Sequence, residues 1–145
     1  MRLFTVGFTR KSAECFFTLL AAAGVRRILD VRLNTRSQLS GFAKTPDLAY
    51  FLRELAGIDY ATVPDLAPTA ELLDPYKKRG GAWAEYAPAY RALIESRRVG
   101  ETLPRDLFDG GCLLCSEHSH RECHRRVAAE YLAEAWGGVE VIHLE

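Results

Sequence analysis

The chain has 145 residues, 48% of them hydrophobic and 26% charged, with 19 basic side chains against 19 acidic ones. That length suits one α/β domain spanning 1–145 with a core of its own, and the balanced charge leaves no global field drawing the molecule onto nucleic acid or a membrane surface. No stretch approaches the roughly 20 apolar residues of a membrane span. The apolar run at the start is too short for a secretory signal, so four cysteines imply free thiols in a reducing, cytoplasmic setting.

Arg2 to Phe8 opens the chain as a β-rich strand. Ser12 suits the N-cap of a helix whose Phe16, Leu19, Leu20 and Ala23 recur at i, i+3, i+4 and i+7, with Gly24 at its C′ position. Val25 to Val31 reads as a second strand, followed by a polar loop from Arg32 to Lys44. Thr45 then caps a helix with Pro46 at its first position, an apolar face of Leu48, Phe51, Leu52 and Leu55, and Gly57 as its stop. Ile58 to Val63 is a shorter third strand. Pro64 to Gly81 reads as irregular, with the cationic cluster Lys77-Lys78-Arg79. Trp83, Tyr86, Tyr90, Leu93 and Ile94 mark a helix that Pro88 kinks or starts. Leu103 to Phe108 is a connection, Cys112 to Cys115 a strand apolar on both faces, and Val139 to Leu144 a last strand.

Between those last strands lies the densest chemistry of the chain. Gly110 to Arg126 holds three of the four cysteines and three of the four histidines. It reads as strand, then the polar loop Ser116 to His120, then a strong helix from Glu122. A loop entering a helix offers free backbone N–H groups and the positive end of a helix dipole.

Alternating strands and helices predict a Rossmann-like three-layer α/β sandwich, with a mostly parallel sheet of about five strands and helices on both faces. Ligands bind such sheets at the carboxyl ends of the strands. Three of those ends carry polar groups: Arg10 and Ser12; Arg32, Arg36 and Ser37; and Ser116 to Arg121. Arg10, Arg32, Arg36, Ser37 and Arg125 are therefore the expected anion-binding residues, because guanidinium forks and backbone N–H groups match phosphate oxygens. Cys115, Glu117 and His124 are the candidate catalytic groups. Cys115 sits beside a helix start and arginines, which favours the thiolate. His124 is either a hydrogen-bonded pin or an acid/base group. Glu117 is expected to pair with an arginine, while Arg126 belongs to the solvated helix face with Glu122, Glu130 and Glu134.

Two further patterns compete. Cys115 and Arg121 form the C-x5-R spacing of cysteine-dependent phosphatases, but the loop between them has no glycine and carries Glu117. Cys112, Cys115, Cys123 and His124 are zinc-type ligands. Adjacent helical residues point about 100° apart, however, so one tetrahedral ion is hard to build from them, and no metal or cofactor is expected.

Several segments resemble one family along nearly the full chain. Thr5-Val6-Gly7-Phe8-Thr9-Arg10, Asp30-Val31-Arg32 with Arg36-Ser37 and Phe42, and Gly57-Ile58-Asp59-Tyr60 with Leu66 are similar to its opening, second and middle blocks. Leu114-Cys115-Ser116-Glu117 and Cys123-His124-Arg125 resemble its most specific signature. The family is that of the domain of unknown function 488. The chain departs from it at Phe8, where histidine is common, at Thr35, where proline is usual, and at Ala67, where glycine is usual. The resemblance implies an α/β layered sandwich and assigns no reaction. Three functions follow as expectations: an enzyme, of the hydrolase or nucleic-acid-processing kind, acting on a phosphate-bearing small molecule or nucleic acid; a non-catalytic nucleotide or nucleic-acid binding module; or a thiol or metal redox protein.

Overall fold

A computed structural model describes residues 1–36 and 40–145, so Ser37 lies outside the described residues. Five strands form one wholly parallel sheet: β1 (Arg2–Gly7), β2 (Arg27–Asp30), β3 (Asp59–Thr62), β4 (Gly111–Cys115) and β5 (Glu140–Leu144), in the order β3-β2-β4-β1-β5. β4 lies at the centre with all five residues buried, as its unbroken apolar run requires, and the edge strands β3 and β5 are largely half-buried or exposed.

Alternation along each strand divides the core in two. Leu3, Leu29, Leu113 and Cys115 face one layer, with α4 (Trp83–Ser96) and α7 (His124–Trp136) packed over them. Phe4, Val6, Ile28, Cys112 and Leu114 face the other, under α1 (Ala13–Ala23) and α2 (Asp47–Phe51). Cys112 and Cys115 therefore point to opposite faces of the sheet. Ser12 caps α1 by accepting from Cys15 N, and Gly24 closes it in the left-handed region at φ 78°.

Some elements differ from the sequence reading, each for a local reason. Thr45 does not cap α2; its hydroxyl pairs with Tyr60 Oη at 3.0 Å, and Pro46 occupies the cap. A π-helical turn, Leu52–Ala56, continues α2 to Gly57. The stretch expected to be irregular contains α3 (Ala70–Lys78), capped by Thr69, whose hydroxyl accepts from Leu72 N. Pro75, inside this helix, obscured it, because a proline past the first turn removes an internal hydrogen bond and usually marks a break. Two short helices, α5 (Val99–Thr102) and α6 (Arg105–Phe108), fill the connection to β4. The last long helix starts at His124, because Cys123 is its N-cap in extended backbone at φ −132° and ψ 140°. Among the described residues, no helix is long and apolar enough to cross a membrane.

Candidate functional site

The register brings three strand ends together. Gly7 is the Cα partner of Cys115, and Asp30 is the partner of Leu114. Beyond these ends the loops are tied to one another. Thr9 donates from both its N–H and its hydroxyl to the Ser116 carbonyl, and His118 Nδ1 lies 3.2 Å from the Thr9 carbonyl. The approach is so close at Gly7 that any Cβ there would overlap the Glu117 carbonyl oxygen, which requires glycine at this position.

Arg125, fully buried in the first turn of α7, anchors the loop after β4. Its Nη1 donates to the Glu117 carbonyl at 2.7 Å and to Cys115 Sγ at 3.1 Å, and Nη2 donates to the His118 carbonyl at 3.3 Å. Burial draws its pKa down to about 10, which leaves it charged at neutral pH. Among the described residues it has no carboxylate partner in an ion pair, and one of its N–H groups goes to the Cys115 sulfur.

Next to it, His124 packs edge-on against Tyr90 at 5.2 Å and places Nε2 2.9 Å from the Val31 carbonyl. A carbonyl only accepts, so Nε2 carries the proton and Nδ1 keeps its lone pair. Burial pushes this imidazole down to about 4, so it is neutral at physiological pH. Cys115 and Cys123 meet sulfur to sulfur, contrary to the expectation of four free thiols, while Cys15 and Cys112 are free. The Cα atoms of the pair are 7.9 Å apart, wider than the roughly 4.4–6.8 Å a relaxed disulfide spans.

Arg32 is held from below. Asp30 accepts Nε at 2.8 Å and Nη2 at 2.7 Å in a buried bidentate pair, and Tyr60 donates to the same carboxylate at 2.6 Å. Burial and that carboxylate push the Tyr60 phenol up to about 12. The Phe8 ring lies beneath the guanidinium at 5.4 Å. Nη1 is buried and has no hydrogen-bond partner among the described residues.

These groups border a cavity of about 290 Å³ lined by Arg32, Asn34, Lys77, Cys115, Glu117 and His124, with Lys78 at its rim. Of the residues expected at one site, Arg32, Cys115, Glu117 and His124 come together here. Arg10 and Arg36 are exposed and do not line the cavity, and Arg125 turns inward to the loop. Arg121 of the C-x5-R pattern also points elsewhere, lining a separate surface depression with Trp83 and His143. Glu117 is paired with a cation, but the partner is Lys77 rather than an arginine. The reason is α3, which lays Lys77 and Lys78 over the loop after β4. Burial lowers the Lys77 pKa.

Sequence reasoning missed Lys77 as a site residue, because its helix was read as loop, and it treated Asp30 only as part of a motif. Two signals were present. The Thr69-Ala70-Glu71-Leu72 run is a helix start, and the Asp30-x-Arg32 spacing lets a carboxylate at a strand end grip the arginine just past it. A family model described as Domain of unknown function DUF488 matches residues 12–132. No curated protein and no solved structure matches the chain.

Proposed function

Since the chain belongs to the DUF488 family, a membership that names no activity, we propose from the site itself that it is an enzyme binding a phosphate-bearing small molecule, a nucleotide in the first instance, in the cavity at the carboxyl edge of β1, β2 and β4. The observation that carries this reading is Arg32. A buried guanidinium edge with no partner among the described residues is costly unless something occupies it. Asp30 holds the other edge, and Arg32 is one of the residues that line the cavity. Lys77 and Lys78 line the same cavity, paired with Glu117 and Asp74, and a phosphate would take those carboxylates' place on the two ammonium groups. Glu117, and Cys115 once its bond to Cys123 is reduced, supply the groups for acid/base or nucleophilic work on the bound ligand, with Lys77 exchanging its carboxylate partner for phosphate.

Calorimetric titration of the protein with inorganic phosphate and a panel of nucleoside monophosphates tests the reading. Binding is expected, and Arg32→Lys, which keeps the charge but loses the fork, should weaken it by about tenfold or more. Equal affinity in Arg32→Lys, or no binding across the panel, rejects it. Loss of turnover in Glu117→Gln with binding retained separates the enzyme from a non-catalytic binding module. The sulfur pair beside the cavity favours a second reading, in which thiol or metal chemistry takes place at the same edge.

A further inference from the structure

We propose that Cys115, Cys123 and His124 form a site for one divalent cation of the zinc class, with its fourth coordination position open to the cavity beside Arg32. One ligand atom from each of the three residues lies within 4.8 Å of the other two, and all three residues are buried. Bond lengths of about 2.3 Å to sulfur and about 2.0 Å to nitrogen put tetrahedral ligand atoms roughly 3.4–3.8 Å apart, so small side-chain adjustments complete the set.

Four features support an ion here. First, Cys123 and His124 are adjacent, which on a helix would make them diverge. Cys123, however, is the N-cap in extended backbone, so its side chain and that of the first helical residue converge. Second, the Val31 carbonyl takes the Nε2 proton of His124, leaving Nδ1 as the donor. Metal-binding histidines are commonly oriented in this way by a carbonyl on their other nitrogen. Third, Arg125 Nη1 donates to Cys115 Sγ, which stabilises that sulfur as a thiolate ligand. Fourth, the Cα separation of 7.9 Å suits two sulfurs turned toward a shared ion better than two sulfurs bonded directly.

Thiolate and imidazole select zinc-class ions, and two thiolates neutralise a divalent charge in this buried setting. Cys115 and His124 line the cavity while Cys123 does not, so the free position faces the cavity. Three protein ligands with one open position is the arrangement of a catalytic rather than a structural zinc. Loading the reduced protein releases one proton for each of the two sulfurs that is still a thiol, and a bonded sulfur pair must first be reduced by an added reductant. This inference does not rest on the phosphate reading, since no ligand phosphate enters it.

The test uses the full chain, reduced with a phosphine, stripped by a chelator and titrated with Co2+ in phosphate-free buffer. One equivalent is expected to bind, with a thiolate-to-cobalt charge-transfer band in the near ultraviolet and intense visible bands of a four-coordinate ion, all displaced by Zn2+. Cys15→Ser should leave these unchanged. Cys123→Ser and His124→Asn should weaken binding by more than the roughly 10–100-fold that loss of an outer partner costs. Azide, which needs no cationic cavity, should shift the visible bands by taking the open position. Absence of stoichiometric uptake by the wild-type protein, or cobalt uptake without the charge-transfer band, overturns the site, whatever the folding of the variants. Bands unmoved by azide overturn the open position.

Discussion

Asp30 and Arg32 are both nearly inaccessible, with side-chain exposures of 0% and 4%. A buried pair of this kind contributes little relative to an apolar pair, but removing one partner strands the other charge. Asp30→Ala should therefore lower stability by about 3–5 kcal/mol, read from the midpoint of urea unfolding. Glu54→Ala, which breaks the exposed pair with Arg53, should change it by less than about 1 kcal/mol. Equal effects would mean that the buried pair is not what holds Arg32 in place. The same physics explains what could be read at this scale. The sequence places Arg32 past a strand end, and the carboxylate two residues earlier is visible as well. Which edge of the guanidinium remains open depends on Tyr60 and Phe8, which arrive from other elements.

α3 has no buried residue, yet it supplies Lys77 to the cavity rim and ties Tyr76 to the Glu122 carbonyl. A helix whose apolar residues Leu72, Leu73 and Tyr76 are only half-buried opens at lower free energy than one that buries a full face. Amide hydrogen exchange should therefore be faster across Ala70–Lys78 than in α4 or α7, both of which bury residues against the sheet. Added nucleotide should slow exchange in α3 selectively, through Lys77 and Lys78. If α3 is as protected as α7 in the free protein, it is a fixed wall of the cavity and not a mobile one. The helices with a strong apolar face, α1 and α4, could be read from periodicity because core burial imposes that period. α3 has such a face too, in Leu72, Leu73 and Tyr76 half-buried against the core, but Pro75 concealed it.

At the scale of the whole molecule, β1 is completed only late in the chain, by β4 on one side and β5 on the other. Deleting residues 139–145 removes β5 and exposes the long edge of a strand that carries Leu3, Phe4 and Val6. The truncated chain should elute as aggregates in size-exclusion chromatography and lose its cooperative unfolding transition. A monomer with a sharp transition would show that β4 alone holds β1.

The sequence by itself determined the alternation of strands and helices, the parallel sheet they build and the edge where polar groups gather. Each of these follows from local hydrophobic period and from the right-handed crossover that joins parallel strands. The tertiary structure alone decided which polar groups face one another. It set Arg32 at the cavity while Arg10 and Arg36 stay outside, gave Glu117 a lysine partner, and turned Arg125 inward to Cys115. It also brought Cys115 to Cys123 and His124, through an N-cap whose extended backbone no periodicity records. Side-chain encounters of this kind depend on strand register and on loop paths fixed by close approaches such as that at Gly7, and those are properties of the assembled sheet.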